Sequence, residues 1–314
     1  MLNNIIWLVF DSARYDAFMA ARTPMIDRIG SAERRFSYAS WTAPSHYAFL
    51  MGLPPHNNAP RVLAADAHRR ELAGWQRRIG DDDRAVSFAD FAPTLSLPAF
   101  LKKLGYRTEA YVSLPVLNPH TLIAQHFDRF ELMAAHNNLA AIVDRLSFSE
   151  TPAFFFINAG ETHYPYALPG EDATAMPRIA GLHGVWRDLD DFLRRPGTSG
   201  VTGTDGAFDV GRLRPLWEKQ VACIEYLDGV IGDLVAKAPL NTWFIITADH
   251  GELFGEDGFF GHGPVVHEKV FEVFFVEGRN PGAPRREAAE IEPCKVSSDE
   301  QAVIVARLHH LGYL

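Results

Sequence analysis

The apolar run Thr242-Trp-Phe-Ile-Ile246, followed at once by Thr247-Ala-Asp-His-Gly251, constrains this chain more than any other stretch. A short run rich in β-branched and aromatic residues reads as a strand buried on both faces. Its C-terminal end delivers a carboxylate and an imidazole side by side, Asp249 and His250. That edge is where open α/β sheets gather their ligands. A loop punctuated by glycines then returns a further histidine, His262. Adjacent Asp and His, with glycines that let backbone come close, suit a divalent cation. The pair alone would serve equally well as a turn cap, so the rest of the chain decides.

Strand and helix patterns alternate along it. Ile5–Phe10 reads as a first buried strand, stopped by Asp11. Thr23 is placed to cap a helix with Pro24 at its first position, and Thr42–Ser45 opens another that Gly52 ends. A helix over Leu97–Leu104, a strand over Arg107–Val112, a helix over Asn137–Leu146 and a third buried strand over Pro152–Asn158 follow. Val221, Ile224, Leu227, Ile231 and Leu234 recur at helical spacing, which predicts a long helix over Leu213–Ala238. A last strand over Val270–Val276 and a terminal helix over Asp299–Leu311 complete the pattern. Continuous apolar strands separated by helices predict a mainly parallel sheet covered on both faces, a three-layer α/β/α sandwich. The expected organisation is a single domain over 1–314 with insertions near 54–94 and 167–210; Asp81–Asp83 falls in the first of these as a solvated loop.

Composition narrows the function. With 47% hydrophobic and 22% charged residues, a large core is available. A formal charge of −9 argues against nucleic acid, which requires clustered Lys and Arg, but permits a small anionic substrate bridged by a cation. Cys223 and Cys294 form no metal-ligand pattern and no disulfide framework. The Ile5–Phe10 run lacks a basic leader and a cleavage site, and no run approaches the roughly 18 apolar residues of a membrane span. A cytoplasmic protein without a membrane partner is therefore expected, with homo-oligomerisation left open.

Three more residues stand where strands end or helices begin: Asp11, Thr42 and, in Glu161-Thr-His-Tyr-Pro-Tyr166, His163. Singly they read as a turn residue, an N-cap and a loop histidine; their recurrence at strand ends is the stronger signal. In order along the chain, Asn4–Arg14, Thr23-Pro-Met-Ile-Asp27, Trp41-Thr-Ala-Pro-Ser-His46 through Gly52, Gly105-Tyr-Arg-Thr108, Glu161–Tyr166, Thr247–Gly251 and Gly261-His-Gly263 resemble the motif series of the alkaline phosphatase superfamily. The branch they look like is that of sulfatases and phosphonate monoester hydrolases.

The resemblance implies an alkaline phosphatase-like fold and a site assembled from named positions. Asp11, Asp249 and His250 would be metal ligands, and Thr42 both ligand and nucleophile. His163 and His262 would contact the oxyanion or leaving group; His46, Glu161 and Tyr166 would meet the substrate. Sulfatases place an oxidised Cys or Ser where this chain has Thr42, often a second metal aspartate where it has Ser12, a lysine at Ser113 and an arginine at His46. These departures point away from an arylsulfatase and toward a hydrolase of phosphate or phosphonate esters, mono- or diester. The mixed Asp, His and hydroxyl set favours one zinc or manganese ion, with calcium, iron and a second ion left open. Only 38 residues follow Val276 (314 − 276), so a compact chain without the C-terminal subdomain of sulfatases is expected. A transferase or biosynthetic tailoring enzyme using the same centre, and a non-catalytic binding module, are the alternatives.

Overall fold

Residues Asn4–Phe10 form a strand with every side chain buried. Its two-residue period sends Ile6, Leu8 and Phe10 into one apolar layer and Ile5, Trp7 and Val9 into the other. The computed structural model describes residues 2–57, 64–171, 210–263 and 265–282. These belong to one unit that ends at Gly282. Residues 172–209 of the expected second insertion, Cys294 and the helix expected over Asp299–Leu311 lie outside the described residues.

The strands in chain order are β1 (Asn4–Phe10), β2 (Glu33–Phe36), β3 (Arg107–Val112), β4 (Arg129–Leu132), β5 (Ala153–Ala159), β6 (Thr242–Ala248), β7 (Leu253–Phe254), β8 (Phe260–Gly261) and β9 (Glu272–Arg279). Seven of them form one sheet in the order β2-β9-β6-β1-β5-β3-β4, and β7 pairs with β8. From β6 to β4 all neighbours are parallel; β9 runs antiparallel to both β6 and β2. This is the expected three-layer α/β/α sandwich with an alkaline phosphatase-like sheet.

One face is covered by the helix Val210–Lys237, which lays Ile224, Leu227, Ile231 and Leu234 on β1, β5 and β6. The other is covered by the helices Thr42–Leu50, Ala64–Ile79 and Leu97–Lys103, through Phe49, Leu72, Trp75, Ile79, Leu97 and Phe100. Trp7 anchors that layer, its ring centroid 5.3 Å from Phe49 and 5.6 Å from Trp75. Each such buried side chain contributes about 1.5–3 kcal/mol. The 54–94 segment, expected as a polar insertion, thus supplies part of the core: its helix is charged on one side and apolar on the other. The last strand starts later than expected, because His267 caps a short helix, Glu268–Phe271, by accepting the Lys269 N–H. Among the described residues no helix is long and apolar enough to cross a membrane.

Register positions the site. Phe10, the last residue of β1, lies opposite Ala159 of β5 and Ala248 of β6. The next residue of each strand therefore emerges at one level, and Asp11 and Asp249 leave the sheet as neighbours.

Candidate metal centre

Asp11, Asp249 and His250 are all fully buried, and one ligand atom from each lies within 4.8 Å of the others. Their hydrogen bonds say which atoms face inward. Asn158 Nδ2 donates to Asp11 Oδ2 at 2.9 Å, which leaves Oδ1 as the oxygen turned to the centre. Asp249 Oδ1 accepts the N–H groups of Ser12 (3.0 Å) and His250 (2.9 Å), and Oδ2 has no hydrogen-bond partner among the described residues. His250 Nδ1 sits 2.8 Å from the Gly251 carbonyl and donates to it, so Nε2 carries the lone pair. That nitrogen is 3.3 Å from Asp249 Oδ2.

Thr42 opens the Thr42–Leu50 helix, and its Oγ1 is 3.4 Å from both Asp11 Oδ1 and His250 Nε2. Two carboxylate oxygens, a ring lone pair and a hydroxyl oxygen thus converge in a buried space with too few protons between them. Burial and the Asp11 charge push the Asp249 carboxyl well above its usual value. Burial also works to raise Asp11, but His163, His250, His46 and the Asn158 hydrogen bond outweigh it and hold that carboxyl low. Burial, then the neighbouring His262, keeps His250 well below the ordinary imidazole value, and so neutral. An orphaned carboxylate oxygen facing a neutral imidazole is a donor set that fits a divalent cation. Glycine is required here for space: a Cβ on Gly251 would stand 2.2 Å from the Lys269 carbonyl oxygen.

Beside the cluster opens a pocket of about 390 Å³. Thr42, His163, His262 and Glu252 supply its polar groups, and Trp41, Leu114, Val116, Tyr164 and Phe260 much of its apolar wall. The His262 ring lies 4.4 Å from that of His250 and 5.3 Å from that of His163. Its Nδ1 is 3.4 Å from Ser12 Oγ and 3.5 Å from Glu252 Oε2. The four expected ligands and the two expected histidines are therefore brought together.

The three residues expected on the substrate are not at the pocket wall. His46 is fully buried behind Thr42, its ring between Phe49 and Phe156. Burial lowers its imidazole to about 4, against the opposing pull of Asp11 and the Thr42 carbonyl. Glu161 is fully buried and accepts the Leu139 N–H at 2.7 Å, at the start of the Leu139–Arg145 helix. Tyr166 is also buried and gives its hydroxyl proton to Glu252 Oε1 at 2.6 Å. A side chain without solvent access and turned to a structural partner does not receive a dissolved ester. Two residues not anticipated from sequence join the site: Asn158 behind Asp11, and Glu252 at the pocket wall. Asn158 is the one polar side chain inside the Ala153–Ala159 strand, and Glu252 directly follows Asp249-His-Gly251; each position carried a signal.

Fold and centre together define a member of the alkaline phosphatase superfamily, on its sulfatase-like branch. The family model described as Sulfatase matches residues 3–273, and the chain belongs to that family. It is 24% identical over 182 residues to the uncharacterized sulfatase YidJ of Escherichia coli (strain K12), an overlap of 53% of this chain and 34% of that protein. The chain thus spans about a third of that curated relative. The phosphonate monoester hydrolase of Agrobacterium radiobacter has a similar fold, with a TM-score of 0.54 at 15% identity, covering 88% of this chain and 68% of that one. The C-terminal periplasmic domain of EcEptC from Escherichia coli covers 88% of this chain and 73% of its own, with a TM-score of 0.49 at 11% identity. The expected cytoplasmic location is corrected on that finding.

Proposed function

We propose that this chain is a metal-dependent hydrolase of phosphate or phosphonate esters with Thr42 as its nucleophile. The observation that carries the reading is the position of Thr42 Oγ1: at the pocket wall, and 3.4 Å from an inward-facing atom of both Asp11 and His250. A bound divalent cation, zinc or manganese by donor type, would neutralise the ester's charge and favour the ionised form of a hydroxyl beside it. Asp11, Asp249, His250 and Thr42 would hold it.

Thr42 Oγ then attacks the phosphorus as the bond to the leaving alcohol breaks, and its proton passes to a neighbouring base. His163 and His262, which line the same pocket, hold the donors for the departing alkoxide. Water attacks the phosphothreonine and releases Thr42 and the acid. The apolar wall around Trp41, Leu114 and Phe260 suits the organic part of a small ester. Thr42→Ala is expected to reduce turnover of chromogenic phosphate and phosphonate esters at least about a thousandfold, as loss of a nucleophile does, while leaving the cation bound. Undiminished turnover in the cation-loaded variant would overturn the reading.

A further inference from the structure

Asn158 and His46 are both fully buried, and neither lines the pocket. Their hydrogen bonds nevertheless form one chain that runs from the sheet to the nucleophile's helix. Asn158 Oδ1 lies 3.3 Å from the N–H groups of both Ser113 and Leu114, which lead away from the end of β3. Its Nδ2 lies 2.9 Å from Asp11 Oδ2. Two donors on one side and a carboxylate on the other fix the amide orientation, because the flipped amide would aim its oxygen at Asp11.

Among the described residues, the second Nδ2 hydrogen then has one partner in reach, His46 Nε2 at 3.4 Å. That nitrogen must accept, so the His46 proton is on Nδ1. His46 Nδ1 lies 2.8 Å from the Thr42 carbonyl oxygen and donates to it. The proton assignment follows from connectivity alone. Each link has a geometric consequence. With Oδ2 engaged by Asn158, Asp11 presents Oδ1 to Thr42; with its carbonyl engaged by His46, Thr42 is held at the head of its helix.

We infer that Asn158 and His46 act as a positioning pair that locks the Asp11 carboxylate and the first turn of the Thr42 helix into one unit. The pair fixes the separation of two atoms that share the cation. It sets cation affinity without touching cation or substrate. The inference rests on the metal-site reading above, and its tests need no ester turnover, so they remain decisive if the proposed substrate class fails.

The first test uses the unaltered protein with nitrogen-15 label and zinc. Long-range proton–nitrogen correlations report the tautomer of each imidazole, with His46 assigned by loss of its signals in His46→Gln. The expected form is protonated at Nδ1; a proton on Nε2 overturns the chain. The second test measures manganese affinity by competition with a chromogenic chelator. Asn158→Leu should weaken binding about tenfold or more, as loss of an outer partner of a ligand does. Asn158→Leu with His46→Leu should fall well short of the product of the single losses, because both cut the same chain. Unchanged affinity in a folded Asn158→Leu protein, or losses that multiply, would overturn the pair. If Asn158→Leu does not fold, Asn158→Asp retains the acceptor for Ser113 and Leu114, and His46→Leu alone reads the second link; unchanged affinity in either is equally fatal.

Discussion

Two buried carboxyl systems lie along the same edge of the sheet, and they are handled in opposite ways. Asp11 and Asp249 face each other, a neutral imidazole and a hydroxyl; Asp249 Oδ2, like Glu161 Oε2, has no hydrogen-bond partner among the described residues, so what differs is the company each carboxyl keeps. Glu161, directly after β5 and its glycine, instead points at the first N–H of the Leu139–Arg145 helix. Burial raises its carboxyl to about 7, against its backbone hydrogen bonds, so one proton is enough to quiet it. The lesson is that a lone buried carboxyl is absorbed by a helix end and a proton. A convergent pair with a lone-pair nitrogen also raises one carboxyl, that of Asp249, but it gathers in one buried space the donor set that fits a divalent cation.

The sharpest way to break this contrast is Asp249→Asn. The amide keeps an acceptor for Ser12 and His250 but removes a charge from the crowd. Divalent-cation affinity should fall by more than the roughly 10–100-fold expected for an outer partner. The chelator-stripped variant should melt above the stripped parent; calorimetry with and without cation reads both. A stripped variant that melts lower would mean that the acceptors are not in conflict.

Glu161→Gln sharpens the other half. The unfolded carboxyl gives up its proton near 4.5, whereas the folded protein keeps it to about 7. Across that window the parent loses stability as pH rises, and above it the loss is complete. The variant should match the parent at pH 4.5 and exceed it at pH 8, by at most about 3 kcal/mol. Parallel pH–melting curves would refute the assignment.

The smallest effect belongs to Asn138, whose side chain accepts the Ala141 N–H and caps the helix that Glu161 meets. Asn138→Ala should lower stability by about 1 kcal/mol without altering cation affinity, measured by urea unfolding and chelator competition. A change in affinity would join the two systems that the comparison separates.

Much of this was legible in the residues themselves. Unbroken apolar strands announce a covered parallel sheet, and the residue after each strand end falls on one edge, so Asp11, Asp249 and His250 could be grouped from the residues, while Thr42, at a helix start, joined them through the motif resemblance. What sequence hid was direction. His46, Glu161 and Tyr166 lie in the right motifs, but burial and a nearer partner turn them away from the pocket. The short strands Glu33–Phe36 and Arg129–Leu132 were masked by charge, because each borders only one neighbouring strand and bears exposed polar side chains. Helix Ala64–Ile79 was masked by its mean polarity, although Leu72, Trp75 and Ile79 carry it into the core.

The alignment of Phe10 with Ala159 and Ala248 has a consequence for how such a centre can change. Because successive strand residues point to opposite faces, adding or deleting one residue within β1 or β6 would reverse the side on which its terminal aspartate emerges. The loops beyond the sheet can lengthen, shrink or be exchanged without moving either ligand. New substrates are therefore open to this scaffold through its loops, whereas the spacing of its ligands is written into the backbone ladder and resists drift.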